Sequence, residues 1–109
     1  KSGNRGEADN YLREVLSEDE SNPAAHYYLG ESMLNSKNFK EAEKHFKRAV
    51  ESGGADFPNA YRHLGFLFKD KGLKALACNS FKEYLRFAPQ SAYDREEITR
   101  ETLNLKCKK

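Results

Sequence analysis

The side chains best suited to chemistry in this chain are three histidines and two cysteines, spread over most of its length. His26, His45 and His63 lie in different segments and lack the short His-Glu-x-x-His spacing of a metalloprotease site. A zinc site built from His45, Cys78 and a carboxylate would have no pair of ligands at a fixed spacing. We therefore predict no metal site and no cofactor.

Patterns for nucleophilic or phosphate chemistry are equally weak. Ser32 stands in the stretch GESML, which is not the Gly-x-Ser-x-Gly turn of a hydrolase, and no strand pattern surrounds it. Gly53 and Gly54 are typical of a connection between helices and not of a phosphate-binding loop. The sequence therefore predicts no catalytic residue, and the chain is predicted not to be an enzyme.

The two cysteines form neither a close pair nor a Cys-x-x-Cys motif. Cys78 lies inside a helical pattern, and Cys107 lies in a basic tail with Lys106, Lys108 and Lys109. We expect Cys78 to act as a small, half-buried apolar residue and Cys107 as a thiol in the tail. The redox compartment stays open on this reading.

Length and composition favour one small domain. The chain has 109 residues, with 38% hydrophobic and 33% charged residues and a formal net charge of +2. This balance does not favour binding to nucleic acid or to a membrane surface, and no apolar run is long enough for a membrane span. We expect a soluble chain, cytoplasmic or periplasmic, without membrane insertion.

Apolar residues recur every three or four positions between short polar breaks, which predicts an all-α fold. Asn22 followed by Pro23 indicates a helix start, Pro58 indicates another, and Ser91 with Asp94 suggests a capping box. Turns of about three residues require that neighbouring helices run antiparallel. The sequence thus predicts a series of helical hairpins.

The segment HYYLGESMLNSKNFKEAEKHFKRAV aligns with YRHLGFLFKDKGLKALACNSFKEYL after a shift of 35 residues. A shift in the other direction, one residue shorter, places Ala8 under Ala42 and Leu12 under Phe46. Small residues at Gly30 and Ala42 allow two helices to approach closely. The residues predicted to pack the repeat are Leu29, Gly30, Ala42, Phe46, Leu64, Gly65, Ala77, Phe81 and Pro89.

These repeated residues resemble the tetratricopeptide repeat (TPR) family, whose pattern runs through an aromatic, Leu-Gly, an aromatic, a turn, Ala, an aromatic, Ala and Pro. The chain departs from that pattern at His26, Lys37, Gly54 and Tyr84. The resemblance implies about six helices in antiparallel hairpins that stack into a right-handed superhelix. It divides the chain into the second helix of a truncated repeat (residues 1–21), two full repeats (22–56 and 57–91), and a capping helix with a basic tail (92–109).

The resemblance also implies a binding surface, because the first helix of each hairpin lines the concave side of such a stack. Aromatic and charged side chains exposed there would suit an extended or helical peptide. We therefore predict a non-catalytic scaffold or adaptor that binds another protein. Its predicted partner-binding residues are Tyr27, Glu31, Leu34, Asn35, Asn59, Arg62, Phe66, Lys69, Asp70, Tyr93 and Arg100.

Some TPR domains clamp the C-terminal carboxylate of a peptide with Lys, Asn and Arg. That clamp is not expected here, because its positions hold Tyr27, Glu31, His63, Tyr93 and Glu97. The acidic residues among them would repel a carboxylate.

Other functions remain open. The pentatricopeptide family is similar and binds single-stranded RNA, but it needs a basic track that the balanced charge does not provide, so no nucleic-acid partner is predicted. A homodimer formed through Tyr28, Phe57 or the first helix is one alternative. The interaction tail of a larger enzyme is another. The short repeats and the ending EYLRFAPQSAYDREEI look similar to those of bacterial TPR proteins.

Overall fold

The computed structural model describes residues 2–107, and the side chains of residues 6–107; Lys108 and Lys109 of the predicted tail lie outside the described residues. The regular structure of this part of the chain is helical, which confirms the predicted all-α fold of six helices in hairpins. The elements are α1 (Ser2–Glu18), α2 (Pro23–Asn35), α3 (Phe39–Gly53), a 3₁₀ turn (Gly54–Asp56), α4 (Pro58–Asp70), α5 (Lys74–Phe87) and α6 (Asp94–Asn104).

The described chain divides between Phe57 and Pro58 into two compact units. The N-terminal unit contains the α2–α3 hairpin and α1, which packs on α2. The C-terminal unit contains the α4–α5 hairpin and α6, which packs on α5. Each unit is therefore one hairpin with a third helix.

The helix starts follow local hydrogen bonding. Asn22 caps α2, because its Oδ1 accepts from the backbone N–H of Ala25 at 2.9 Å, as predicted from the Asn-Pro pair. The capping box predicted at Ser91 is wrong: α6 begins at Asp94 and has no side-chain cap. Arg95 anchors this end instead, since its Nη1 donates to the carbonyls of Leu85 and Ala88 at 2.8 and 2.9 Å.

The same turn ends α2, α4 and α6. The backbone φ angle is +65° at Lys37, +77° at Gly72 and +57° at Lys106. In each case the next residue donates its N–H to a carbonyl five residues earlier, at 2.8 to 3.0 Å. Only Gly72 avoids the steric cost of this left-handed conformation. Because the three turns recur at the spacing of the repeat, α6 ends in the same way as the first helix of a hairpin.

A glycine permits the closest approach within each hairpin. A Cβ atom at Gly30 would lie 2.7 Å from Cε1 of Phe46, and one at Gly65 would overlap the ring of Phe81. Both phenylalanines are fully buried. The small residues in the repeat therefore serve to let a phenylalanine of one helix lie against the backbone of the other.

Candidate protein-binding surfaces

An open groove of about 530 Å³ runs between α1 and α2 in the N-terminal unit. Two tyrosines stand at its sides with much of their surface in solvent: Tyr11 is 65% exposed and Tyr28 is 52% exposed. Exposed tyrosines beside an apolar floor are typical of surfaces that bind proteins. This groove, called the tyrosine groove below, is lined by Ala8, Asp9, Tyr11, Leu12, Tyr28, Glu31, Ser32 and Asn35.

Hydroxyl groups donate hydrogen bonds to the two carboxylates of the groove. Ser32 donates from Oγ to Oδ2 of Asp9 at 2.9 Å, which joins α2 to α1. Glu31 is half-buried, and its Oε2 accepts the hydroxyl proton of Tyr27 at 2.8 Å. Within the described part of the chain, the residues that line this groove include two carboxylates and no cation. These residues present negative charge beside aromatic surface.

Tyr27 was expected to be exposed, and this expectation is wrong. Its side chain is only 9% exposed, and its ring lies 5.9 Å from that of Phe46 and 5.5 Å from that of Phe57 between centroids. Sequence spacing placed Tyr27 with Glu31 on one face, but the ring extends into the core while its hydroxyl reaches Glu31. The exposed tyrosine of α2 is its neighbour, Tyr28, whose ring packs edge-on against it.

The other predicted binding residues of α2 are Leu34 and Asn35, and both were expected to be exposed. Asn35 is exposed and lines the tyrosine groove, whereas Leu34 is half-buried and does not line it. Sequence reasoning missed Tyr11 as a surface residue, because Tyr11 belongs to the apolar stripe of α1. An aromatic residue next to Leu12 can lie on either side of that stripe, so the spacing alone carried no signal of its exposure.

The two cationic residues predicted to bind a partner from α4 form ion pairs inside the C-terminal unit. Lys69 Nζ lies 2.7 Å from Oε1 of Glu101, and Arg62 Nε lies 3.8 Å from Oδ2 of Asp94. Arg62 also donates to Oδ1 of Asn59 at 3.2 Å. The two ion pairs join α4 to α6, so two of the predicted binding residues are paired with a helix of their own unit.

The remaining predicted residues of the C-terminal unit differ in exposure. Phe66 is half-buried and meets Phe81 edge-on, with 5.0 Å between ring centroids. Tyr93 is 90% exposed, and Asp70 and Arg100 are exposed. Tyr93 therefore offers the largest aromatic surface of this set.

The residues predicted to pack the repeat are almost all inside. Pro89 is the exception and is exposed in the segment between α5 and α6. The buried ones are Leu29, Gly30, Ala42, Phe46, Leu64, Gly65, Ala77 and Phe81.

The two cysteines form a disulfide, and the expected free thiol at Cys107 is wrong. Cys78 and Cys107 are joined across 29 residues, with a Cα–Cα distance of 5.6 Å. The turn at Lys106 directs the chain back from α6 towards α5, where Cys78 lies. The repeat contains a signal for this, since Lys106 follows Gly72 by one repeat length and so predicts the turn that places Cys107.

Two of the histidines meet, although they lie in different helices. Nδ1 of His26 is 3.0 Å from Nδ1 of His45, and Nε2 of His26 is 2.7 Å from the carbonyl oxygen of Glu20. The carbonyl can only accept, so Nε2 of His26 carries a proton. In the neutral pair, His45 therefore donates from Nδ1 to Nδ1 of His26, and the pair connects α2 to α3.

Among residues 6–107, no three His, Cys, Asp or Glu side chains are grouped so as to hold a metal ion. None of the helices described has both the length and the apolar character needed to cross a membrane.

A family model described as tetratricopeptide repeat matches residues 1–64, which is more than half of the chain. No curated protein sequence matches the chain significantly. The matched region contains all of the N-terminal unit and the first half of α4.

Proposed function

We propose that this chain, which belongs to the tetratricopeptide repeat family, is a non-catalytic interaction module that binds a helix of a partner protein in the tyrosine groove. The observation that supports this most directly is the pair of exposed tyrosines at the sides of a groove between two packed helices. A helix laid into a groove buries a continuous apolar face, which is a common mode of peptide recognition.

The repeat register indicates what kind of helix would fit. Leu12 of α1 lies one repeat before Phe46, and Ala8 lies one repeat before Ala42. In the α2–α3 hairpin, Phe46 lies against Gly30 of the preceding helix. By the same register, Leu12 would face a small residue of the bound helix, with larger apolar residues one turn away on either side.

The charge of the groove indicates which charge the bound helix should carry. Of the residues whose side chains the structure describes, Asp9 and Glu31 line the groove and no lysine or arginine does. A bound helix with lysine or arginine near these carboxylates would gain complementary charge, which mainly increases specificity and the association rate. We therefore propose a basic amphipathic helix with a Gly or Ala at its centre.

Exposed residues of α4 and α6, with Tyr93 directly before α6, form a second candidate surface. Tyr93 and Arg100 are exposed there, and Phe66 is partly accessible. Since Arg62 and Lys69 are engaged in ion pairs with α6, we propose that this surface contributes less to binding than the tyrosine groove.

A synthetic peptide with the sequence of residues 58–72 is a suitable probe. It contains Leu64-Gly65 in the required pattern and carries three cationic residues, Arg62, Lys69 and Lys71, against one acidic residue. Its binding would be measured by fluorescence anisotropy with the peptide labelled. Tyr11→Ala together with Tyr28→Ala is expected to weaken binding at least about tenfold, as for central aromatic contacts.

Two matched controls make the result specific. Tyr93→Ala removes an exposed tyrosine from the C-terminal unit and is expected to weaken binding much less than the double tyrosine variant does. The peptide variant Gly65→Leu keeps the charge and favours helix formation, yet it is expected to bind more weakly because it cannot approach Leu12. If the Leu peptide binds as well as the Gly peptide, or if Tyr93→Ala has the larger effect, the proposed groove is wrong.

Self-association remains an alternative, because a second copy could cover the exposed ring of Tyr28. Phe57, the other residue expected at such an interface, is half-buried and packs on Tyr27. Sedimentation velocity at several concentrations would distinguish the two. A dimer that is lost in Tyr28→Ala would favour self-association over a separate partner.

The disulfide supports a location in an oxidising compartment such as a periplasm, because structural disulfides are rare in a reducing cytosol. Trapping of thiols with an alkylating reagent in intact cells tests this. Full protection of both cysteines until a reductant is added would support it, and ready alkylation would contradict it.

A further inference from the structure

A second cavity, of about 510 Å³, lies in the C-terminal unit beside the disulfide. Among residues 6–107, the side chains that line it include Lys74, Lys82 and Lys106 and no acidic residue. Its charge is therefore opposite to that of the tyrosine groove. This lysine cavity is lined by Lys74, Ala75, Cys78, Asn79, Lys82, Lys106 and Cys107.

The fold brings these lysines together from two elements. Lys74, Cys78 and Lys82 are spaced by four residues along α5 and so share one side of that helix. Lys106 belongs to the turn after α6, where its φ of +57° reverses the chain. The bond between Cys78 and Cys107 then holds that turn beside α5.

The start of α5 adds to the positive character. Lys74 is the first residue of α5, the capping position Leu73 supplies no side-chain acceptor, and the first turn contains no acidic residue. Backbone N–H groups at a helix start carry partial positive charge and favour anions. The lysines and the start of α5 therefore both favour a negatively charged ligand in the cavity.

We propose that the lysine cavity binds a carboxylate-rich peptide segment and that the disulfide keeps the cavity in shape. The proposal rests on the interaction function proposed above but concerns a different site and a partner of opposite charge. A volume of this size accommodates a few side chains and not a folded domain. Nucleic acid is disfavoured because the three lysines form a local cluster in a chain of formal net charge +2, whereas a strand needs an extended basic track.

The test uses the full chain and a fluorescein-labelled ten-residue peptide of alternating Glu and Gly, with the Gln–Gly peptide as a matched neutral control. Anisotropy is measured with the protein oxidised, at low and at moderate salt. The Glu peptide is expected to bind more tightly than the Gln peptide, with an advantage that shrinks as salt rises.

Charge removal locates the site. Lys74→Gln and Lys106→Gln are each expected to weaken binding of the Glu peptide by about threefold, and the double variant more strongly. Lys40→Gln removes the same charge from an exposed position on α3 and is expected to have no effect. An equal loss in Lys40→Gln would show that only net charge matters and would overturn the proposal. Tighter binding of a thymidine oligonucleotide that the same lysine variants abolish would replace it with a nucleic-acid site.

The role of the disulfide is tested separately, by removing both cysteines. The double variant Cys78→Ser, Cys107→Ser is expected to lose at least as much affinity for the Glu peptide as Lys106→Gln does. Binding of the 58–72 peptide to the tyrosine groove, measured on the same sample, reports on the N-terminal unit. Amide hydrogen exchange in α5 and α6 shows whether the unit that holds the lysine cavity is still folded. Unchanged binding of the Glu peptide by the Ser variant would refute the role of the disulfide. Loss of both peptides by the lysine variants would refute the separation of the two sites.

Discussion

Phe46 in the N-terminal unit and Phe81 in the C-terminal unit each lie against a glycine of the preceding helix, yet the side chains around them differ in kind. Twenty residues before Phe46 stands His26, which bonds to His45 and to the Glu20 carbonyl. Twenty residues before Phe81 stands Tyr61, whose ring stacks on Phe87 with 6.0 Å between centroids. The glycine–phenylalanine contact is required by the hairpin, whereas the neighbouring position accepts either a polar pair or an aromatic stack.

The third helix of each unit shows a larger difference. In the N-terminal unit, α1 leaves a groove with Tyr11 and Tyr28 exposed. In the C-terminal unit, α6 buries Ile98 completely, forms two ion pairs with α4 and is held to α5 by the disulfide. The third helix of a unit can therefore leave aromatic surface exposed to a partner, or it can be held to its hairpin by buried, ionic and covalent contacts.

The largest expected effect tests what the hairpins share. Phe46→Ala and Phe81→Ala should each lower the free energy of unfolding by about 3–5 kcal/mol, because each leaves a cavity against a glycine that no side chain can fill. Urea unfolding followed by circular dichroism measures this. Phe39→Ala, at a site 52% exposed, should change stability by no more than about 0.5 kcal/mol. A loss below about 1 kcal/mol at either buried site would mean that the two contacts are not equivalent.

The next effect tests what is particular to the C-terminal unit. Cys107→Ser opens a loop defined by a separation of 29 residues, and the loop entropy predicts a loss of about 3.5 kcal/mol in the free energy of unfolding. Amide hydrogen exchange should show the loss in α5 and α6 and little change in α2 and α3. A reductant should reproduce it in the wild-type chain and have no effect on the variant. Uniform loss of protection in both units would contradict this assignment.

Periodicity was sufficient for the helices and their packing, because both depend on contacts that repeat in the sequence. Gly30 and Phe46 recur as Gly65 and Phe81, so one copy predicts the other. The exposure of Tyr27 could not be obtained in this way. Tyr27 and Tyr28 are adjacent in sequence, and the ring that enters the core is the one that packs on Phe46 and Phe57.

Contacts between distant residues that occur only once were also beyond the sequence pattern. Lys69 and Glu101 are far apart in the chain, and nothing in the repeat marks them as a pair. The disulfide was partly predictable. The turn at Lys106 that places Cys107 follows the repeat spacing, whereas the bond to Cys78 has no counterpart in the other repeat. The candidate site was thus predictable in its helices and only partly in its side chains.

The smallest expected effect depends on the histidine pair, which lies in the N-terminal unit. Burial of the His45 ring lowers its pKa below the usual 6.5, and the nearby His26 lowers it further. The Glu41 carboxylate acts in the opposite direction, whereas Arg13 and Lys44 add to the decrease. At this ring the unfolded chain therefore binds more protons than the folded chain between the lowered pKa and about 6.5. The contribution to stability is complete above that pH and is lost as the pH falls through the lower pKa of the folded state.

The urea midpoint of the wild-type chain should accordingly decrease between pH 7.5 and pH 5, with exchange protection lost first in α2 and α3. His45→Gln removes the titrating ring and can still donate from its amide to Nδ1 of His26, so its midpoint should vary less over this range. The C-terminal unit provides the internal comparison once His63 of α4 is replaced by Gln in both chains, because Tyr61 and Phe87 do not titrate near neutral pH. If α4 and α5 lost protection together with α2 and α3, or if His45→Gln kept the full pH dependence, the histidine pair would not be its source.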